Sequence, residues 1–120
     1  MSKMEDLFRG RGVLYALVCS REGERLFEFG DARSLPYRGL LERFFLGAGS
    51  FQLLFDYLDN SILPQVVSQG ELSCVLTVLP SGVVVGAFVM EGPGVGDIHA
   101  WAEDLEMELQ EADAEGGWRS

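Results

Sequence analysis

Residues 72–90 read LSCVLTVLPSGVVVGAFVM, and this stretch predicts a β-hairpin whose arms are apolar on both faces. In the first arm, Leu72, Cys74 and Leu76 fall on one face, while Val75 falls on an opposite face that is nearly as apolar. A strand that is apolar on both faces has to be covered on both faces. We therefore expect the two arms to be central strands of a sheet.

The turn between the two arms is Pro80-Ser81-Gly82. Proline presets φ for the first turn position, and glycine tolerates the positive φ of a residue that closes the turn. The triplet therefore predicts a type I turn closed by a glycine bulge.

Composition limits the class of protein and the class of partner. The chain has 120 residues, 48% of them hydrophobic, which suits one domain with a real core. Its formal net charge is -10, and residues 91–120 hold nine acidic side chains against one basic residue, Arg119. Nucleic acid and anionic membranes require a basic surface, so protein partners are favoured instead. No apolar run approaches the ~20 residues of a membrane span and no signal peptide is evident, so we expect a cytoplasmic protein.

The N-terminal part of the chain predicts a short helix and a second hairpin. Met4–Phe8 can form one or two helical turns before two glycines end them. The strand at 13–19 is apolar on both faces, and a polar, glycine-containing turn leads to a return arm at 26–29. Glu28 between two phenylalanines indicates an edge strand with one wetter face.

The segment from Pro36 to about Leu58 predicts a long helix with two apolar stripes. The broad stripe, which should lie on the sheet, consists of Tyr37, Leu40, Leu41, Phe44, Ala48, Phe51, Phe55 and Leu58. The narrower stripe on the far side, next to Gly49 and Ser50, consists of Leu46, Leu53 and Tyr57. Each mid-helix glycine costs about 1 kcal/mol relative to alanine, so a break into two helices is the alternative. Small residues let another backbone approach closely, which favours one helix.

A short strand is predicted at 64–69 (PQVVSQ), where the proline and the short length both suit a sheet edge. Further on, Asp97 is suited to cap a C-terminal helix. That helix keeps one apolar face from Ile98 to Ala112, and its opposite side is almost wholly acidic. We expect residues 1–120 to form a single domain, with a short N-terminal helix within 1–12 and a frayed tail at 113–120.

The sequence predicts no catalytic, cofactor-binding or metal site. The loop EGPGVGD lacks the lysine and the Ser/Thr that follow the glycines of a phosphate-binding loop. His99 is the only histidine, so no histidine pair is available for a metal site. The carboxylates at 103–115 are interpreted as a solvated face, with a basic partner as the alternative. Cys19 and Cys74 are interpreted as free thiols that act as small hydrophobes.

The order helix, hairpin, long helix, three strands and helix resembles the roadblock / dynein light chain family, which includes bacterial regulators of Ras-like GTPases in gliding motility. The resemblance covers residues 13–112 and is best at 41–90. The matching segments there are LGAGSFQLLFDYL in the long helix, PQVVSQGE in the linker strand and the two apolar strands. The turn SREGERL also resembles the polar turn between the family's first two strands.

The resemblance implies an α+β fold built on an antiparallel five-stranded sheet of order 2-1-5-4-3. The long helix would lie on one face and the terminal helices on the other. Cys19 and Cys74 would then be separated by a strand, too far apart for a disulfide. The chain departs from the family in its short first helix, which predicts that part of one sheet face is thinly covered and that a partner completes it.

The resemblance also implies a dimer, because family members usually pair through strand three and the long helix. The residues expected at this dimer or partner interface are Leu46, Gly49, Ser50, Leu53, Tyr57, Val66, Val67 and Ser68. We expect a non-enzymatic adaptor or regulator of a Ras-like small GTPase system, in bacterial cell polarity or gliding motility, that needs no cofactor. Its expected partners are a second copy of itself, a roadblock paralogue, and a Ras-like small GTPase or its regulatory complex. The alternatives are a small-ligand sensor domain and a structural, light-chain-like subunit of a larger assembly.

Overall fold

The structure is a computed structural model that describes residues 3–20, 22–36, 39–42, 65–90 and 97–115. Within these ranges the chain forms the helices α1 (Lys3–Gly10), α2 (Gly39–Leu41) and α3 (Ile98–Ala114), a 3-10 helix (Ala32–Ser34), and the strands β1 (Tyr15–Cys19), β2 (Arg25–Gly30), β3 (Gln65–Gln69), β4 (Leu72–Val78) and β5 (Val84–Met90).

The five strands form one antiparallel sheet of order β2-β1-β5-β4-β3, which confirms the predicted topology. The predicted central hairpin is β4 and β5. Its turn has the expected geometry, since the Gly82 amide donates to the Leu79 carbonyl at 2.8 Å and Gly82 has a φ of 93°. The Leu79 amide donates to the Val83 carbonyl at 2.9 Å and closes the loop.

The terminal helices α1 and α3 lie on the same face of the sheet, as predicted. The buried apolar cluster on this α1/α3 face consists of Met4, Phe8, Val13, Ala16, Val18, Val75, Leu79, Val83, Val85, Ala87, Val89, Trp101, Ala102, Leu105, Leu109 and Ala112. The central strands of this face are fully covered, since Ala16, Val85 and Ala87 are buried, whereas Leu26, Phe27 and Phe29 on β2 are only partly buried. Met4 and Phe8, one turn apart on α1, are fully buried in this cluster together with five residues of α3.

The opposite face carries a second buried cluster, made of Tyr15, Leu17, Cys19, Leu35, Leu41, Leu72, Cys74, Leu76, Val84 and Phe88. Leu35 and Leu41 reach it from the chain that follows β2. Of the long helix predicted from Pro36, the described residues contain α2, and Pro36 itself lies in a bend before it. Apart from Leu40 and Leu41, both predicted stripes of that helix consist of Tyr37 and residues within 43–64, which lie outside the described residues.

Helix α3 begins at the predicted cap, because the Asp97 side chain accepts a hydrogen bond from the His99 amide at 3.0 Å. It continues to Ala114, so residues 113 and 114 do not belong to the tail predicted from 113. The reason is Asp113, which is buried and bonded to the β4–β5 turn. No helix in the described part of the chain is long and apolar enough to cross a membrane.

Candidate interaction edge of the sheet

Strand β3 is the last strand of the sheet on the β4 side and carries three of the predicted interface residues. Val66 and Val67 pair with Val75 and Cys74 of β4. Both valines are half-buried: Val66 packs against the cluster on the α1/α3 face and Val67 against the cluster on the opposite face. The strand is therefore anchored to the core on both sides.

Ser68, the third of these residues, is exposed and lies opposite Ser73 of β4. The two hydroxyl oxygens are 2.8 Å apart, which satisfies the buried Ser73 hydroxyl. This contact fixes the register of β3 next to its turn, where Gly70 has the positive φ, 61°, that a tight hairpin turn requires.

The β3 ladder is regular and uncharged. All five residues, QVVSQ, pair one to one with β4, and none of them is ionisable. Native edge strands are commonly protected from pairing with other chains by charges or by bulges. Within the described residues, β3 has neither device.

The other edge strand, β2, carries both devices. Its pairing with β1 shifts by one residue, since Val18 is opposite Phe27 whereas Cys19 is opposite Arg25. Leu26 is the extra residue of this bulge. Arg25 and Glu28 add charge, and their side chains approach to 3.9 Å.

A buried tyrosine also fixes β2. The Tyr15 hydroxyl donates a hydrogen bond to the Glu28 carboxylate, from a ring that is 1% exposed. Burial of the ring and then this bond raise the pKa of Tyr15 above its ordinary value of 10.0. Strand β2 is an edge strand, as Glu28 predicted. The Glu28 side chain is not simply solvated, because it accepts the hydrogen bond from Tyr15.

The structure places the predicted interface residues in two groups. Val66, Val67 and Ser68 lie on the outermost strand of the sheet, as the resemblance implied for their position. Leu46, Gly49, Ser50, Leu53 and Tyr57 lie outside the described residues. The interface role of all eight stays a prediction.

The acidic side of α3 is not a uniformly solvated face. Glu106 accepts a hydrogen bond from Thr77, and Glu108 pairs with Arg11, whose pKa this bond raises. Asp113 bonds to Ser81. The sequence interpretation missed these contacts because each joins residues at least 29 positions apart. Residue spacing within one segment cannot predict a contact between distant segments.

Both cysteines are free and buried. Cys19 lies on β1 and Cys74 on β4, with β5 between them, as expected. Burial raises the pKa of both thiols, that of Cys19 from 9.0 to about 11. Among the described residues no group of three His, Cys, Asp or Glu side chains is arranged to hold a metal ion.

Comparisons with known proteins give a likeness in structure only. No protein-family profile matches the chain, and no curated protein matches it. Among solved structures, MglB of Myxococcus xanthus is similar with a TM-score of 0.62 at 15% sequence identity, over 92% of this chain and 91% of that chain. A roadblock/LC7 domain from Streptomyces avermitillis has a TM-score of 0.53 at 19% identity, over 90% and 99%.

A third similar structure is the gliding protein MglB of Thermus thermophilus, with a TM-score of 0.51 at 18% identity, over 89% of this chain and 84% of that chain. At these identities the likeness establishes the fold and leaves the activity open. The likeness to these three structures is consistent with the strand order and with the two terminal helices on one face. The chain therefore has the fold of the roadblock/LC7 domains.

Proposed function

We propose that this chain is a non-enzymatic, dimeric adaptor or regulator of a Ras-like small GTPase system, serving bacterial cell polarity or gliding motility. It acts through protein contacts at β3 and at the far stripe of the predicted long helix. The observation that carries this proposal is the contrast between the regular, uncharged β3 edge and the bulged, charged β2 edge. The likeness in fold to two MglB structures, one of them named a gliding protein, supports the proposed cellular setting.

The choice between adaptor and direct activator needs a different criterion from the one that the sequence suggested. A short first helix, with part of a sheet face left for a partner to complete, favours an adaptor over a direct activator of the GTPase, but the central strands of that face are already covered. Binding of the GTPase therefore has to decide between the two. An activator binds the GTP-loaded GTPase directly and increases the rate of GTP hydrolysis, while an adaptor binds a roadblock paralogue.

The dimer is tested by measuring the solution mass of wild type, Ser68→Lys and Leu53→Glu. A lysine on an edge strand opposes pairing with another chain, and a glutamate places a charge in the predicted helix contact. We expect a dimeric wild type and a shift of both variants toward the monomer at equal concentration. Circular dichroism at the same concentration checks that each variant is folded.

Two matched controls isolate the proposed surface. Ser34→Lys makes the same change on the exposed 3-10 helix, and Met107→Glu makes a similar change on α3, where Met107 is 63% exposed. Both controls should keep the wild-type mass. A monomeric wild type, or equal dissociation by the controls, would contradict the proposed dimer.

The GTPase part of the proposal is tested separately, with a Ras-like GTPase from the same cell loaded with GDP or with a non-hydrolysable GTP analogue. Capture by wild type but not by the dimer-deficient variants, together with faster GTP hydrolysis, supports an activator. Capture of a roadblock paralogue without the GTPase supports the adaptor. Capture of neither partner by a folded dimer contradicts a role in this GTPase system.

A further inference from the structure

The end of α3 and the β4–β5 turn are joined through one buried carboxylate. Asp113, in the last turn of α3, is 8% exposed. One of its oxygens accepts the Ser81 amide at 3.0 Å, and the other accepts the Ser81 hydroxyl at 2.5 Å. A single residue of the turn thus donates two hydrogen bonds to a single residue of the helix.

The helix end that this contact holds is electrostatically unfavourable. A helix C-terminus carries partial negative charge and favours cations. The last turn of α3 has no basic residue, and Glu111, Asp113 and Glu115 lie within it or next to it. The backbone dipole and the neighbouring carboxylates therefore oppose the helical state there, and tertiary contacts have to offset both.

Apolar surface lies beneath the same segment. Leu79 and Val83, which flank the turn, are buried, and so are Leu109 and Ala112 of α3. All four belong to the cluster on the α1/α3 face. Release of the last turns of α3 would uncover apolar side chains at the tip of the central hairpin.

We propose that the Ser81–Asp113 pair is a latch that sets the opening of the C-terminal turns of α3, separately from the rest of the fold. With the latch closed, the tip of the hairpin is covered. With it broken, residues 109–115 open as a local unit while the first turns of α3, capped by Asp97 and anchored by Trp101, stay docked. The latch is a conformational device independent of the β3 edge.

Amide hydrogen exchange of the full-length chain tests the latch. In Ser81→Ala we expect about a 10-fold faster exchange at 109–115, because two hydrogen bonds to a charged acceptor are reduced to one. The amides of residues 101–105 and of β5 should keep their wild-type rates. Ser81→Thr retains the hydroxyl and should restore most of the protection.

Two further variants decide the outcome. Ser34→Ala removes an exposed serine hydroxyl that donates to the Asp31 carbonyl, and it should leave α3 unchanged. Asp113→Ala removes the acceptor of both hydrogen bonds and should open the same segment further than Ser81→Ala does, and adding Ser81→Ala to it should open the segment no further, because the hydroxyl then has no acceptor to lose. Unchanged exchange at 109–115 in Ser81→Ala, an equal increase across the chain, or additive effects of the two substitutions would overturn the latch.

Discussion

The two edges of the sheet are built in opposite ways. Strand β2 has a bulge, an Arg25–Glu28 pair and a carboxylate held by a buried tyrosine. Strand β3 pairs with β4 in a regular five-residue ladder and has no charged residue. Val66 packs on one face of the sheet and Val67 on the other. Edge strands invite pairing unless something prevents it. The comparison shows that one edge carries devices that oppose pairing, whereas the described residues of the other edge carry neither charge nor bulge.

The bulged and charged edge formed by β2, the closed edge, also packs against helix α1. Phe8 of α1 is fully buried and meets two rings of β2, with centroid distances of 6.3 Å to Phe27 and 5.6 Å to Phe29. No corresponding aromatic pair reaches β3 within the described residues. Phe8 thus links α1 to β2, and its substitution tests this contact.

The largest effect should come from Phe8→Ala. Loss of a buried aromatic ring leaves a cavity between α1 and β2, and we expect the free energy of unfolding to fall by about 3–5 kcal/mol. Denaturant-induced unfolding measures the loss. Met107→Ala, at the exposed position on α3, should change the stability by less than about 0.5 kcal/mol. A similar loss in both variants would mean that α1 does not hold β2.

A smaller effect is expected at the end of β2, where Gly30 has a φ of 80°. In Gly30→Ala the new Cβ would collide with the carbonyl oxygen of Leu14. Gly12 is a matched control, because its φ is 76° and a Cβ there would meet nothing within 4 Å. Gly12→Ala should cost about 1–2 kcal/mol from the left-handed backbone alone. Gly30→Ala should cost clearly more in the same unfolding experiment, and equal losses would show that Leu14 gives way.

The centre of the fold could be predicted from the sequence because its signals are local. Two apolar arms around Pro80-Ser81-Gly82 specify a buried hairpin, and Asp97 before an apolar stripe specifies a helix start. The order of all five strands required more, since pairing between distant strands leaves no mark in one sequence. It came from the resemblance to roadblock domains and is confirmed.

The contacts that distinguish the edges could not be predicted in this way. The charge at Glu28 marks an edge strand, but its bond to Tyr15 depends on a register that the bulge sets. The length of α1 also does not show how far the sheet is covered, because its two buried side chains act together with the buried side of α3. The carboxylates of α3 likewise divide into bound and exposed groups only once the helix is docked.

Tyr15→Phe tests how much of the closure of β2 is polar. The variant keeps the buried ring and removes the hydroxyl that donates to Glu28, so we expect a loss of about 1–2 kcal/mol. The pKa of Tyr15 is raised in the folded chain, so folding favours the protonated hydroxyl. The contribution of this hydroxyl to the free energy of unfolding is therefore complete below about pH 10 and is lost as the pH rises further. Stability measured above pH 10 should therefore fall less steeply in the variant. An unchanged slope would contradict the burial of the hydroxyl.

The smallest effects concern the two thiols, which report on the strands beside the edges. Cys19 of β1 is opposite Arg25 of β2, and Cys74 of β4 is opposite Val67 of β3. Folding raises the pKa of each thiol from an ordinary value of 9.0, so it favours the protonated form. The contribution of the protonated thiols to the free energy of unfolding is complete below about pH 9. It should decrease as the pH rises from 9 toward the Cys19 pKa of about 11. By pH 10 the decrease should be about 1 kcal/mol for each thiol.

Cys19→Ala and Cys74→Ala separate the two contributions, since each variant removes one titrating thiol and leaves the other as a probe. Each should lose part of the decrease in stability between pH 8 and pH 10 that unfolding curves record for wild type. Labelling near pH 8 with a thiol reagent then compares the two edges directly, because a buried thiol reacts only when its strand opens. If association at β3 adds protection, Cys74 will react more slowly as the protein concentration rises, while Cys19 beside the closed edge will keep one rate. Equal concentration dependence at both thiols would mean that the two edges are not used differently.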